Sequence, residues 1–279
     1  MWRLTYLAVL LPVMACAQST YLGSGLRLGS GVSIGGAPPP SINFQNTNQQ
    51  TTIGTATGDW KPVCILPGCN PGGTGTPSAT SQIFGIASPS TDGKAMELSM
   101  TADANSTNAL WVFLAGSCDS CTNVTSNFEV YLPSNASSAS SFEFDQFIFD
   151  KTQLYNLMWG SQCATGGDWQ IASATSSWVN TTVPCSLSLT TWHTIQWQVH
   201  RIAGDVSCAG GLPKLYWGTL TIDGTANAVN MSMCASALPS TYASQSGHQF
   251  QIDIPTASST SPVTINEYID QSSFQASVQ

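Results

Sequence analysis

From residue 82 to residue 269, short apolar and β-branched runs alternate with clusters of turn residues, and no segment shows an apolar stripe with helical period. We interpret as strands the runs 82–87, 95–100, 110–115, 127–132, 142–149, 155–162, 169–172, 191–202, 215–222, 249–254 and 263–269. Asp223-Gly224, at the end of one run, is a typical turn signal. Many short strands at regular spacing predict an all-β sandwich or barrel.

One of these runs, residues 142–149, alternates aromatic and acidic side chains at its start. The period of two predicts that Phe142 and Phe144 share the core face and that Glu143 and Asp145 share the exposed face. Two carboxylates on one strand repel each other, and Glu and Asp are weak strand formers. We therefore predict a polar working surface on a sheet at Glu143 and Asp145.

Composition restricts the partners. Only 8% of the 279 residues are charged, and the 7 Lys and Arg against 15 Asp and Glu give a net charge of −8. Phosphate binding needs positive charge, so nucleic acid is not an expected partner. Low charge with many hydroxyl groups and tryptophans is common in exported β-proteins that handle neutral sugars. The length allows one large domain or two small ones.

The N-terminus has the pattern of an export signal over residues 1–17. Arg3 is followed by an apolar run at 4–13 that is too short to span a bilayer, and then by small residues at 15–17. Residues 13–16 resemble a lipoprotein signal, in which Cys16 would be acylated after cleavage. We expect either free secretion or a bacterial cell-surface or outer-membrane anchor, with membrane contact only through an acylated Cys16.

The next segment, residues 18–80, is rich in Gly, Ser, Thr, Pro, Asn and Gln. Pro38-Pro39-Pro40 and the run 71–77 cannot form regular elements. Such a composition cannot bury enough apolar surface to order itself. We predict a flexible stalk that is dispensable for folding, followed by one β-sandwich domain over residues 81–279.

Of the 9 cysteines, eight remain once Cys16 is set aside, an even number that predicts disulfides in an exported chain. Sequence alone does not determine the connectivity, and sequential pairing is the arrangement we expect. The expected pairs are Cys64–Cys69, Cys118–Cys121, Cys163–Cys185 and Cys208–Cys234.

The spacing Cys118-Asp-Ser-Cys121 leaves two alternatives open, a redox motif and a metal site. A redox C-x-x-C would open a helix, and no helical pattern follows here. A zinc site would need further Cys or His ligands, and the 3 histidines lack that spacing. A structural calcium at Asp150 or Asp270 is not supported by any EF-hand-like spacing. We therefore predict a structural disulfide and no cofactor.

Three further patterns carry a family resemblance. Residues 192–197 read Trp-His-Thr-Ile-Gln-Trp, residues 215–224 end in Ile-Asp-Gly, and residues 263–270 read Val-Thr-Ile-Asn-Glu-Tyr-Ile-Asp. The first two resemble the paired strands of laminarinase-like glucanases and laminin-G-like lectins, and the third is similar to their closing strand. The resemblance implies a concanavalin A-like jelly-roll sandwich over residues 81–279.

A second resemblance involves the region around Trp159. Trp159-Gly160-Ser161-Gln162-Cys163, Gly167-Asp168-Trp169 and Pro184-Cys185 are similar to a segment of an uncharacterised group of exported bacterial proteins, often seen in acidobacteria. This resemblance implies no known activity.

The glucanase resemblance implies catalytic roles that this chain matches only in part. Glu143 and Asp145 match the nucleophile and the helper of the family's E-x-D-x-x-E or E-x-D-x-E pattern. The third position falls on Phe147 or Ile148, and neither can donate a proton. A second carboxylate would have to come from another strand, with Asp253 as the candidate. Catalysis, sugar binding and a solvated strand without ligand all remain open for this surface.

For sugar binding we single out aromatic and polar side chains. Tryptophan rings stack on the C–H faces of sugars, although core filling is the alternative for each of them. The predicted binding residues are Trp159, Trp169, Trp178, Gln162, Gln251 and Asp253. We expect Trp197 to lie in the core.

The favoured function is binding of neutral oligo- or polysaccharides on a concave sheet face, without catalysis. Glycan cleavage by a non-standard carboxylate set and a structural or adhesive surface role are the alternatives. The sequence leaves the oligomeric state open.

Overall fold

The computed structural model describes residues 41–62, 77–102, 107–150, 155–173, 177–236, 244–255 and 260–278. They form fifteen β-strands: β1 Ser41–Phe44, β2 Trp60–Pro62, β3 Pro77–Ile86, β4 Ala95–Ala102, β5 Thr107–Leu114, β6 Asn123–Tyr131, β7 Ser141–Asp150, β8 Tyr155–Ala164, β9 Asp168–Ser173, β10 Val179–Pro184, β11 Trp192–Arg201, β12 Lys214–Ile222, β13 Thr225–Cys234, β14 Gly247–Ile254 and β15 Val263–Ser277. The helices of the described residues are short 3-10 helices, Thr47–Gln49, Ser134–Ser138 and Ala209–Gly211. None of them is long and apolar enough to cross a bilayer.

The strands form two antiparallel sheets. The first sheet has the order β13-β12-β11-β6-β15-β4-β3, and β1 pairs with the far half of β15. The second sheet has the order β10-β9-β8-β7-β14-β5-β2. Both sheets contain neighbours that are distant in the chain, and their inner faces enclose one apolar core. The architecture is a jelly-roll β-sandwich, as predicted.

Every strand predicted from the sequence is present, although some bounds differ. The strands that we did not predict are β1, β2, β10 and β13, and each lies at the edge of a sheet or pairs with a single strand. An edge strand has less apolar surface to bury than a central one. β13, for example, has an exposed or half-exposed residue at every position except Val229. A polar edge strand therefore lacks the alternation on which the prediction depends.

The stalk prediction is wrong for residues 41–62, because this segment packs into the sandwich. Trp60 is completely buried, and its indole N–H donates to the Thr47 carbonyl at 2.9 Å. The Asn48 side-chain amide donates to the Asp270 carboxylate at 3.1 Å, and Asn48 Oδ1 accepts the backbone N–H of Ser272 at 3.0 Å. Residues 77–80, also assigned to the stalk, belong to β3. The rest of residues 18–80 and the signal at 1–17 lie outside the described residues.

Three of the predicted disulfides are present. They are Cys118–Cys121, Cys163–Cys185 and Cys208–Cys234. Cys64 and Cys69 lie outside the described residues. The sequential pairing is confirmed for the six cysteines that the structure describes.

Candidate functional site

A cleft of about 480 Å³ opens on the outer face of the second sheet, the face turned away from the first sheet. Its polar wall is formed by Asn108, Ser141, Gln162, Gln170 and Asp253, and Trp178 adds an aromatic side chain. Except for Trp178, which precedes β10, these residues come from β5, β7, β8, β9 and β14. Because those five strands are consecutive in the sheet, residues distant in the sequence meet on one surface.

The strand register explains which side chains meet. Glu143 lies opposite Gln162 on one side and Gln251 on the other, and Gln162 lies opposite Gln170. Two residues further along β7 and β14, Asp253 lies opposite Ser141 on one side and Asn108 on the other. Directly opposite residues in an antiparallel sheet point to the same face. The two rows therefore form a continuous polar face.

Hydrogen bonds link the side chains of the longer row. Gln162 donates to Gln170, and Gln170 donates to Asn180 Oδ1 at 2.7 Å. On the other side of Glu143, Gln251 Nε2 donates to Glu143 Oε1 at 2.6 Å. This network holds the amide groups in fixed orientations at the cleft.

Glu143 and Asp253 form a close carboxyl pair beside the cleft. Gln251 Nε2 lies 2.6 Å from Glu143 Oε1 and 3.0 Å from Asp253 Oδ1, so both carboxyl groups meet at one nitrogen. The two carboxyl groups are also hydrogen-bonded to each other. Ser141 Oγ donates to the other oxygen of Asp253 at 2.7 Å. Asp253 thus lies beside Glu143, where the sequence analysis weighed a second carboxylate.

Burial controls the protonation of this pair. It raises the pKa of Glu143 well above its usual range, and the negative charges of Asp253 and Asp145 raise it further. Burial also raises the pKa of Asp253, but hydrogen bonds from Glu143, Ser141 and Gln251 oppose that shift. Two like charges at hydrogen-bonding distance do not both ionise readily. Burial and mutual repulsion therefore favour a protonated carboxyl within this pair.

Glu143 and Asp145 lie on the face opposite Phe142 and Phe144, as predicted, but the expectation that both are exposed is wrong. Glu143 is 8% exposed and Asp145 is 0% exposed. Asp145 accepts hydrogen bonds from the Ser161 amide at 2.9 Å and from the Gln249 side chain. Burial raises the pKa of Asp145 to about 7, although both hydrogen bonds lower it. Asp145 contributes to the structure beneath the surface and does not line the cleft.

The three predicted tryptophans have different environments. Trp159 and Trp169 are 0% exposed and belong to the core, so the prediction that they stack on sugars is wrong. Their positions opposite Gln146 and Cys163 place them on the inner face of the sheet. Trp197 is in the core, as predicted. Trp178 is half-buried at the cleft and is the one of the three with surface to offer a ligand.

A glycine allows Trp178 to approach the sheet closely. A Cβ atom on Gly160 would lie 3.3 Å from the Trp178 ring and 2.9 Å from the Ala172 carbonyl oxygen. The second distance is shorter than real Cβ contacts, so any larger residue would displace the neighbouring strand or the ring. Gly160 therefore helps to set the position of the aromatic wall.

Two of the remaining predicted binding residues line the cleft, and the third is buried beneath it. Gln162 and Asp253 line the cleft, whereas Gln251 is buried beneath it and holds the two carboxyl groups. The sequence analysis missed Asn108, Ser141 and Gln170. No local pattern singles them out, because only the pairing of distant strands brings them to Asp253 and Gln162.

A second polar group lies away from this cleft, around His193. His193 Nδ1 is 2.7 Å from Asp223 Oδ2, and its Nε2 is 3.0 Å from Ser188 Oγ. The backbone N–H of Ser188 also donates to Nε2, at 2.9 Å. This main-chain hydrogen bond uses the lone pair that a general base would need. We conclude that this group holds the loop before β11 against the β12–β13 turn.

The described residues contain no cluster of three or more His, Cys, Asp or Glu side chains able to hold a metal ion. Of the two carboxylates weighed for calcium, Asp150 pairs with Arg201 at 2.8 Å. Asp270 accepts hydrogen bonds from Ser90, Thr91 and Asn48. Both carboxylates thus have protein partners.

Comparison with known proteins identifies no family. No family model matches the chain, and no curated protein is significantly similar to it. Solved structures with a similar arrangement include alginate lyase vAL-1 from Chlorella virus, with 10% identity and a TM-score of 0.44 over 71% of this chain and 89% of that one. Arcelin-5, a lectin-like defense protein from Phaseolus vulgaris, has 13% identity and a TM-score of 0.43 over 86% of this chain and 99% of that one.

A third example is the PL-14 alginate lyase from Aplysia kurodai, with 10% identity and a TM-score of 0.41 over 70% of this chain and 86% of that one. These neighbours are carbohydrate-active or lectin-like proteins. Likeness at this level assigns no activity to this chain.

Proposed function

We propose that this protein is an exported glycan-binding protein and that the cleft on the outer face of the second sheet holds the sugar. The observation that carries the proposal is the cleft itself, in which hydrogen-bonded amides and one half-buried tryptophan surround about 480 Å³. Amide and hydroxyl groups suit sugar hydroxyls, and the Trp178 ring suits the apolar face of a sugar. Among the described residues, no Lys or Arg lines the cleft, so a neutral glycan fits it better than a polyanionic one.

Glycan cleavage is the second candidate, and the Glu143–Asp253 pair is the observation in its favour. A proton shared between two carboxyl groups at a cleft is an arrangement that supports acid–base chemistry. The carboxyl pair of a retaining glycosidase is separated by about 5–5.5 Å and flanks the scissile bond. Here the two groups are hydrogen-bonded neighbours on one side of the cleft. The geometry therefore favours binding over hydrolysis.

The test is a glycan array probed with the full chain, followed by reducing-sugar assays on every glycan that binds. Trp178→Ala and Gln162→Ala should each weaken binding by about tenfold or more, because buried aromatic and polar contacts dominate small-ligand affinity. Trp192→Ala is the matched control, since Trp192 is also half-buried but lies on the first sheet. The Trp192→Ala variant should bind the glycan with the affinity of the wild type.

The variant Glu143→Gln distinguishes binding alone from glycan cleavage. If the protein only binds, no glycan releases reducing ends in either form. If it cleaves, Glu143→Gln should retain binding and lose turnover, because a catalytic carboxyl acts mainly on the transition state. Absence of binding to every arrayed glycan contradicts the proposal and favours a structural role.

A further inference from the structure

Two acceptor oxygens at the cleft, on Asn108 and Gln162, have no protein donor among the described residues. The amide nitrogens of Gln162 and Gln170 already donate to protein oxygens, and that of Asn108 donates to Asp253. Asn108 Oδ1, in contrast, is buried without a partner in the structure. Among the described residues, none donates to Gln162 Oε1, and Gln162 is 7% exposed. A ligand that completes these hydrogen bonds must supply donors.

The same cleft has an excess of negative charge. Asp253 lies in its wall and Glu143 lies behind it, and no cation is among the lining residues. An anionic sugar would therefore meet like charge without compensation.

We propose that the cleft binds a glycan that carries a free amino group, and that its ammonium lies against Asp253, Asn108 Oδ1 and Gln162 Oε1. The inference rests on the proposed glycan-binding function and names the ligand class of that site. An ammonium has three donors and no acceptor, which suits a carboxylate with two open amide oxygens beside it. A hydrogen bond between a charged donor and a carboxylate is about twice as strong as a neutral one. A hydroxyl or an acetamide at the same position would leave the charge of Asp253 unpaired.

Binding of an ammonium should also change the protonation of the Glu143–Asp253 pair. An ammonium beside Asp253 favours the ionised form of both carboxyl groups in the pair. Binding should therefore release a proton from Glu143 or Asp253. The affinity should rise with pH as long as the amino group of the sugar stays protonated.

Three β-1,4-linked tetrasaccharides with the same backbone test the inference. They are the tetramers of glucose, N-acetylglucosamine and glucosamine, which differ only in the group at C2. Calorimetric titration of the full chain at pH 6.5 and 150 mM salt should show that the glucosamine tetramer binds about tenfold tighter or more. Equal or tighter binding of either neutral tetramer overturns the inference and leaves the proposed function intact.

The variant Asp253→Asn keeps the shape of the side chain and removes its charge, so it should abolish the preference for the amino sugar. Asp92→Asn is the matched control, because Asp92 is exposed and lies outside the cleft. It should leave the preference unchanged and thereby exclude attraction to the net charge of −8. A preference that is lost equally in both variants overturns the proposed site.

A measurement on the wild type keeps the inference testable if Asp253→Asn does not fold. The titration is repeated at pH 5.5 in buffers with different heats of ionisation, which gives the number of protons exchanged on binding. We expect net release with the glucosamine tetramer and less release with the neutral tetramers. Zero exchange or net uptake with glucosamine overturns the inference. If none of the three tetramers binds and the glycan array is also negative, the proposed function fails together with it.

Discussion

Glu267 is a buried carboxyl inside the sandwich core, between Ile265 and Ile269 on the inner face of β15. Both of its oxygens are buried, and neither has a hydrogen-bond partner among the residues that the structure describes. Burial raises the pKa of Glu267 well above its usual range. A carboxyl with a raised pKa in the folded state stabilises the fold below its unfolded pKa. That contribution is lost as the pH rises from the unfolded pKa to the folded pKa, because the unfolded state has released its proton while the folded state retains it.

We predict that Glu267→Met stabilises the protein at alkaline pH. The substitution removes a buried group that must ionise, and it should raise the free energy of unfolding at pH 8 by about 1–3 kcal/mol. Between pH 7 and 9 it should also reduce the decline of stability by up to about 1.4 kcal/mol per pH unit, the value for one proton. Urea unfolding at each pH measures both quantities.

The pH range of this experiment avoids a second buried group. Burial lowers the pKa of His248 to about 3, so this histidine destabilises the fold only as the pH falls below its unfolded value. Above pH 7 it is neutral in both states. Glu97→Gln, on the opposite face of the same sheet, serves as the control and should leave the slope unchanged. The interpretation of Glu267 is wrong if the Met variant is less stable and equally sensitive to pH.

At the scale of elements, the segment 41–62 is part of the fold although its composition is typical of a linker. Its contribution depends on Trp60, whose ring lies 5.4 Å from Phe113 and 6.0 Å from Phe250, measured between centroids. Thr47 adds a polar contact, since its hydroxyl is 3.1 Å from His248 Nε2. Trp60 packs into the core together with Ile42 and Phe44, so the segment buries apolar surface despite its polar composition.

Trp60→Ala should therefore lower the free energy of unfolding by about 3–5 kcal/mol, as expected for a large cavity in a core. Ile53→Ala is the matched control from the same segment, because Ile53 is 54% exposed. Its effect should stay within about 0.5 kcal/mol, as is usual for surface positions. Chemical denaturation of both variants measures these changes. Equally small losses of unfolding free energy in the two variants would show that the segment is dispensable for stability.

For the whole molecule, the disulfides close loops of unequal length. Cys163–Cys185 spans 22 residues and Cys118–Cys121 spans 3. A longer loop restricts the unfolded chain more. Replacing Cys163 and Cys185 with Ala should lower the free energy of unfolding by about 3 kcal/mol, and the same change at Cys118 and Cys121 by about 2 kcal/mol, on the loop-entropy model.

Urea titrations of the two double variants under identical oxidising conditions provide the measurement. A larger loss from the short bridge would show that native packing around the bridge outweighs loop entropy. Thiol titration of the denatured, unreduced protein is the accompanying check, and the six described cysteines should contribute no free thiol.

The sequence by itself determined the all-β class, the central strands and the face of β7 that each residue occupies. These properties depend on local alternation, since a strand with one face in the core repeats every two residues. The alternation of Phe142 to Asp145 therefore predicts orientation correctly. The even number of cysteines likewise predicts the bridges that the structure describes.

Only the tertiary structure decided which side chains form the cleft and which are buried. Ser141 and Asp253 are 112 positions apart and meet because β7 pairs with β14. Trp159 and Trp178 look alike in the sequence, yet one lies in the core and the other at the cleft. Exposure depends on which strands and segments lie across a residue, and that pairing is set by the packing of the whole chain. Local pattern carries no information about it.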